Sequence, residues 1–177
     1  MEEVEKISKD KLKCKVKALL DVVVYEKNLT IEDGIHHKVY RTVKQIVDCD
    51  VKVTRKCIRI DEHNREIVII VVYKYTIRYL DSCGVERKIV KSEVVEEKIH
   101  LGKYCEKEGE PNDIDEKNVC LEIKKAYCKD VKFHNCGKHS IITGKVVIKA
   151  EAIIFEKKII DVLTAKCKDE HDSGRQE

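Results

Sequence analysis

A run of alternating apolar residues, from Ile67 to Tyr79, constrains the fold more than any other part of this chain. β-Branched and aromatic side chains recur there at every second position, which is the pattern of a β-strand. In the first half of the run, both sets of alternate positions are apolar. In the second half, one set is polar, because it contains Lys74, Thr76 and Arg78. The pattern predicts a central strand that is buried on both faces at its start and on one face at its end. Because few strands are this long, we expect it to bend or to change partners near Tyr73.

Other segments alternate in the same way and are separated by turn-forming residues. We predict strands at residues 11–25, 51–60, 85–101, 119–133 and 141–155. Hairpins are expected between 51–60 and 67–79 and between 119–133 and 140–155. Residues 26–38 are interpreted as a connection, and residues 39–48 as a strand or a short helical turn. Because no long amphipathic helix is indicated, we predict an all-β protein, an antiparallel β-sandwich (jelly-roll-like) of about seven strands.

The length of 177 residues fits one domain. We predict a flexible N-terminal segment at 1–10, a single β-sandwich domain at 11–163 and a polar C-terminal tail at 164–177. The N-terminal residues are charged and lack the apolar core of a secretory signal, so we expect the protein to be made in the cytoplasm. No apolar run is long enough for a membrane-spanning helix, and we expect no membrane partner.

Charge and motifs exclude several function classes. Charged residues make up 39% of the chain, but 36 Lys and Arg against 33 Asp and Glu leave a net charge of only +3. A nucleic-acid-binding protein needs a concentrated basic patch, so we expect no nucleic-acid partner. The chain has no Gly-rich phosphate loop, no nucleophile elbow and no HExxH motif. We therefore expect neither enzymatic activity nor a cofactor.

Nine cysteines are the chemical anomaly of the sequence. Because the number is odd, at least one thiol stays free or pairs with another chain. The thiols could be reduced and incidental, could bind metal, or could be oxidised after the protein has left a reducing cytoplasm. Cysteines in turns, loops and chain ends are accessible to a neighbouring subunit. Our candidates for intersubunit disulfides are Cys14, Cys83, Cys105, Cys136 and Cys167.

One cluster has the residue types of a metal site. Cys128, His134, Cys136 and His139 are all possible zinc ligands, although their spacing matches no standard zinc motif. The alternative interpretation is a β-hairpin whose turn contains His and Cys by chance. Cys136 beside His134 or His139 could also act as a nucleophile, but nothing in the sequence marks a pocket or an oxyanion hole.

From Val51 to Ile154, the order of strands and turns resembles the SPOCS domain, the all-β module of spore coat and spore morphogenesis proteins of clostridia and their relatives. The long strand ends in Ile77-Arg78-Tyr79 and is followed by an acidic turn at Asp81, as in that family. The next strand, 94–101, lacks the Pro-Phe element that the family has there. The remaining elements follow the family order: strand 119–133, turn 134–139 and final strand 141–154.

The resemblance implies a structural role without catalytic residues. The protein would be a self-associating component of the bacterial spore envelope (coat, exosporium or surface fibre), cross-linked by cysteines. Its partners would be further copies of itself, as a homo-oligomer or polymer, and other spore-layer proteins, with its final location at the spore surface or in the coat. The alternative function is a small zinc-binding β-domain that acts as an interaction module.

Overall fold

The computed structural model describes residues 14–61, 63–101 and 116–164, and these ranges are almost entirely β-strand. The strands are β1 (Cys14–Val39), β2 (Val43–Asp61), β3 (Glu66–Asp81), β4 (Glu86–His100), β5 (Val119–Cys136) and β6 (His139–Thr164). A 3-10 turn, Glu116–Asn118, precedes β5. The predicted all-β class is confirmed, with six long strands in the described ranges where about seven were expected.

The strands form two three-stranded sheets with the orders β1-β6-β5 and β2-β3-β4. β3 is antiparallel to both β2 and β4, and β5 is antiparallel to β6. Both predicted hairpins are therefore confirmed as β2–β3 and β5–β6. The arrangement is an antiparallel, sandwich-like fold, as the sequence pattern predicts.

The described residues fall into two compact units. The larger unit contains residues 23–155, and the smaller one combines residues 14–22 of β1 with residues 156–164 of β6. In the smaller unit Leu19, Leu20, Ile159 and Ile160 are exposed. The predicted flexible segment 1–10 and all but the first residue of the predicted tail 164–177 lie outside the described residues.

The central strand β3 has the two-part burial that its sequence predicts. Ile67, Val68 and Ile69 are buried in succession, whereas Lys74 and Arg78 are exposed on the outer face further along. Of the two outcomes expected near Tyr73, a bend or a change of partners, the change of partners does not occur, because β3 pairs with β2 and β4 along its whole length. A central strand with two continuous neighbours satisfies its backbone hydrogen bonds on both edges, and the irregularity lies instead in β2.

β1 corrects the interpretation of residues 26–38 as a connection. These residues continue the strand to Val39, and Leu29, Ile31 and Ile35 point into the core. The Asp33-Gly34 pair has the composition of a turn, but the buried residues on either side hold it in extended conformation. The structure also decides the conformation of residues 39–48. β1 ends at Val39, residues 40–42 connect it to β2, and β2 begins at Val43.

The core is rich in Ile, Val and Ala. β6 contributes one face of alternating buried residues, as its sequence predicts: Ile142, Val146, Ile148, Ala150, Ala152 and Ile154. These belong to the same hydrophobic cluster as the inward residues of β3. Each large aliphatic side chain that is removed from water in this way contributes about 1.5–3 kcal/mol to folding. β5 contains a bulge between Ile123 and Lys125.

Candidate functional site

A disulfide between Cys49 and Cys128 joins the two sheets. Cys49 lies on β2 and Cys128 on β5, which are edge strands of different sheets. The Cα atoms are 5.8 Å apart, within the range that a disulfide spans. The bond closes a long loop, because the two cysteines are 79 residues apart in sequence. It therefore restricts the unfolded chain strongly.

Further contacts align β2 with β5 on either side of this disulfide. At one end, the Asn135 side-chain amide donates to the Val43 carbonyl at 3.0 Å, and its Oδ1 accepts from the Val43 amide at 3.2 Å. At the other end, Lys56 Nζ donates to the Leu121 carbonyl. Residues later in β2 contact residues earlier in β5, so the two edge strands run antiparallel. We call this boundary, from Val43–Asn135 to Lys56–Leu121, the β2–β5 seam.

A buried serine closes one end of the β2–β5 seam. The Ser140 side chain is fully buried, and its hydroxyl accepts a hydrogen bond from the Val43 amide at 2.9 Å. The same oxygen lies 2.9 Å from the Arg41 carbonyl, to which its hydroxyl can donate. These bonds attach the connection between β1 and β2 to the β5–β6 hairpin, and they satisfy polar groups that burial would otherwise penalise.

A groove of about 410 Å³ lies at the opposite end of the β2–β5 seam. Residues of β2, of β5 and of the 3-10 turn line it: Lys56, Cys57, Ile58, Lys117, Val119, Cys120 and Leu121. Cys57 and Cys120 are exposed free thiols. Neither was among the cysteines that the sequence singled out, because both lie within strands and not in loops.

A second group of polar residues links β1 to β3 in the core. The Tyr73 hydroxyl donates to Oδ2 of Asp33, and the Tyr75 hydroxyl lies 2.6 Å from Nε2 of His37. The two tyrosine rings are stacked, with centroids 6.2 Å apart. Their side chains are only 1% and 3% exposed. We call Asp33, His37, Tyr73 and Tyr75 the inter-sheet polar cluster.

Burial keeps most of this cluster uncharged. Desolvation raises the pKa of the Tyr73 hydroxyl, and its hydrogen bond to the Asp33 carboxylate raises it further. Desolvation also raises the pKa of Tyr75 and lowers the pKa of His37, where Lys91 adds a repulsive positive charge. Both phenols are therefore protonated at neutral pH and His37 is neutral. Each of these groups is engaged in a hydrogen bond, so the cluster is suited to holding the sheets in register.

The predicted cross-linking cysteines have different surroundings. Cys83 is exposed in the turn after β3, where the sequence placed it. Cys136 is half-buried at the end of β5. Cys14 begins β1, but its side chain is outside the described residues. Cys105 and Cys167 also lie outside the described residues.

The structure does not assemble the four predicted zinc ligands. Cys128 is bonded to Cys49, so its sulfur is not a free thiolate. Cys136 faces His139 across the β5–β6 hairpin, whereas His134 pairs with Ile141. Among the described residues, no three His, Cys, Asp or Glu side chains are grouped so that they could hold a metal ion. Sequence proximity suggested a cluster, but strand pairing places Cys128 at the seam, away from the turn.

Sequence reasoning missed Cys49 as a functional residue. Cys49 lies between residues 39–48, interpreted as a strand or a helical turn, and the strand predicted at 51–60, and its partner is far away along the chain. The only signal in the sequence was the alternation of Cys49 with the polar residues Asp48 and Asp50, which indicates that Cys49 faces inward. Parity assigns a side chain to a face but does not identify the strand that meets it.

Comparison of the chain with protein-family models, with curated protein sequences and with solved structures gave no match. In the described part of the chain, no helix is sufficiently long and apolar to cross a membrane.

Proposed function

We propose that this chain is a non-enzymatic structural protein that self-associates and is fixed by disulfides between subunits. The observation that carries this proposal is the distribution of its cysteines. One pair, Cys49–Cys128, is bonded inside the fold, while Cys57, Cys83 and Cys120 remain exposed. Exposed thiols on a rigid β-scaffold are positioned to react outside the chain, whereas the internal bond keeps the scaffold intact.

Strand edges supply a second means of association. β4 is an edge of the β2-β3-β4 sheet, and in the described part of the chain its backbone pairs only with β3. Val90 and Val94 are exposed on it, with Val94 63% exposed. A strand from another copy could add to this edge through main-chain hydrogen bonds. Flanking charges such as Lys91 and Glu93 would limit this pairing to partners of matching charge.

The location in a spore envelope layer is a separate part of the proposal. It is supported by the resemblance of the strand and turn order between Val51 and Ile154 to the SPOCS domain. The all-β fold and the β2–β3 and β5–β6 hairpins agree with that order. An assembly on the outside of a released spore would be exposed to oxidants, which would convert accessible thiols into cross-links.

Controlled oxidation of the full chain tests the self-association. The protein would be purified with reductant, transferred to an oxidising buffer, and followed by non-reducing gel electrophoresis and electron microscopy. We expect reductant-sensitive oligomers, fewer of them with Cys83→Ser, and an ordered assembly of constant geometry. A Ser82→Ala variant, altered at the neighbouring turn position, should behave as wild type. A dispersed monomer with and without reductant would contradict the proposal.

The location needs its own test. An antibody against the purified chain, applied to sections of sporulating cells and of released spores, should label an outer spore layer. Labelling confined to the cytoplasm of vegetative cells would contradict the spore-envelope part alone. The alternative function as a zinc-binding domain gains no support from the described residues, because Cys128 is bonded to Cys49.

A further inference from the structure

Cys57 and Cys120 occupy matching positions across the β2–β5 seam. Two contacts fix the alignment: the Cys49–Cys128 disulfide and the hydrogen bond from Lys56 to the Leu121 carbonyl. Lys56 follows Cys49 on β2 by the same number of residues by which Leu121 precedes Cys128 on β5. One further step along β2 reaches Cys57, and one further step back along β5 reaches Cys120. The alignment that brings Cys49 to Cys128 therefore gives Cys57 and Cys120 corresponding positions on the two edge strands.

Both thiols also lie on the same side of their strands. Cys120 is exposed between the buried residues Val119 and Leu121, and Cys57 is exposed beside the half-buried Ile58. Because side chains alternate along a strand, both cysteines project to the outer side of the β2–β5 seam. Both residues line the same groove of about 410 Å³. A small molecule that enters this groove therefore lies against both Cys57 and Cys120.

The described lining of the groove contains two lysines. Lys56 and Lys117 line it, and none of the lining residues that the structure describes is Asp or Glu. A cationic groove raises the local concentration of anionic molecules. The remaining lining residues are aliphatic or thiol groups, which suit an organic molecule of moderate size.

We propose that Cys57 and Cys120 form a thiol–disulfide exchange site for anionic low-molecular-weight disulfides of the glutathione disulfide class. The Cys57 thiolate attacks one sulfur of the small disulfide, which forms a mixed disulfide and releases one small thiolate. The Cys120 thiolate then attacks Sγ of Cys57, which forms a Cys57–Cys120 disulfide and releases the second small thiolate. The protons of the two cysteines end on the two released thiols. The cysteines are oxidised and the small disulfide is reduced, so atoms and electrons balance.

The product is a second covalent connection between β2 and β5, further along the same seam as Cys49–Cys128. This inference goes beyond the proposed self-association and does not depend on it. Oxidation inside one chain removes Cys57 and Cys120 from the thiols that could cross-link subunits. Cys83, on a turn distant in sequence from both, remains available for that purpose.

Mass spectrometry of the full chain tests the exchange site. Dilute protein would be treated with glutathione disulfide, quenched by alkylation of free thiols, digested without reduction and analysed for linked peptides. We expect a Cys57–Cys120 linked peptide and little glutathione on either residue. In Cys120→Ser, glutathione should remain on Cys57, and in Cys57→Ser it should remain on Cys120. Cys83→Ser is the matched control, because it removes an exposed thiol outside the groove and should leave the linked peptide unchanged.

Two comparisons make the test decisive. Mixing isotope-labelled and unlabelled chains should give linked peptides of a single label, since the bond forms within one chain. Linked peptides of mixed label, or stable glutathione on both cysteines of the wild-type chain, would overturn the proposal. Exchange should be at least several-fold faster with glutathione disulfide than with cystamine, a cationic disulfide, at low salt. Equal rates would overturn the assignment of an anionic substrate.

Discussion

Cys49 on β2 and Cys128 on β5 are bonded to each other, so a covalent link joins edge strands of the two sheets. Their Cα atoms lie 5.8 Å apart, and 79 residues separate them along the chain. The link lies between the Asn135–Val43 hydrogen bonds and the Lys56–Leu121 hydrogen bond. It therefore reinforces an alignment that non-covalent contacts also specify.

Removing this disulfide should destabilise the protein. We expect the double variant Cys49→Ser, Cys128→Ser to lose about 4 kcal/mol of unfolding free energy, because the unfolded chain regains the freedom of a long loop. Denaturant titration of the variant and the wild type, both without reductant, measures the difference. Cys83→Ser is the control and should change the unfolding free energy by less than about 0.5 kcal/mol, as is usual for an exposed position. Equal midpoints for the double variant and wild type would show that the bond does not form in solution.

The close approach of β5 to Gly144 predicts a position at which an added side chain destabilises the fold. A Cβ at Gly144 would lie 3.0 Å from Cγ2 and 3.1 Å from Cα of Val131, where β5 has an irregular register. Gly144→Ala should therefore lower the unfolding free energy by about 1–3 kcal/mol through overpacking. Gly34→Ala is the matched control in β1, because nothing lies within 4 Å of its added Cβ. Gly34→Ala should be neutral or slightly stabilising, since it reduces the freedom of the unfolded chain.

The hydrogen bond from Tyr73 to Asp33 predicts a cost for removing one hydroxyl. Tyr73→Phe keeps the ring in the core but leaves the Asp33 carboxylate without this donor. We expect a loss of about 1–3 kcal/mol of unfolding free energy, measured by denaturant titration. Tyr40→Phe removes a hydroxyl from a side chain that is 82% exposed and should have no measurable effect. A neutral Tyr73→Phe would indicate that the Asp33 carboxylate finds another donor in solution.

His37 predicts a pH dependence of stability. Desolvation, and then the Lys91 charge, lower its pKa in the folded protein below the ordinary value of 6.5, while Glu93 opposes and His36 adds to this effect. Between the two values the unfolded state binds more protons, so stability is highest above about pH 6.5 and falls as the pH drops through the folded pKa of His37. His37→Gln should reduce this loss between about pH 7 and pH 5.

His36→Gln provides the control for this experiment, because His36 is the exposed neighbour on the opposite face of β1. His36→Gln should keep most of the wild-type loss of stability at low pH, because desolvation and the Lys91 charge, the larger causes of the lowered His37 pKa, remain. If His37→Gln and His36→Gln give the same profile as the wild type, the hydrogen bond between His37 and Tyr75 does not control stability in this range.

Local patterns were sufficient to predict most of the strands. The alternation from Ile67 to Tyr79 predicted β3 and its change from double to single burial, and the apolar parity of β6 predicted its inward face. Turn residues identified both hairpins. The errors occurred where a local signal opposed a tertiary one: Asp33-Gly34 resembles a turn, yet Leu29, Ile31 and Ile35 hold that segment in β1.

The candidate sites could not be predicted from the sequence as well as the strands could. The zinc prediction grouped residues that are near in sequence, whereas Cys128 bonds to a residue 79 positions away. The exchange pair Cys57 and Cys120 gave no signal, because both cysteines lie within strands that lack a common motif. Asp33 and Tyr73 likewise belong to different sheets and meet only in the folded core.

By itself, the sequence determined the all-β class, the central strand and the hairpins, because alternation and turn chemistry act between residues that are neighbours along the chain. Only the tertiary structure decided which edge strands meet, and hence which cysteines pair. An edge strand is compatible with many neighbours, and the choice between them depends on packing the whole core. The β2–β5 seam, with the Cys49–Cys128 disulfide and two further cysteines that line a shared groove, is the result of that choice.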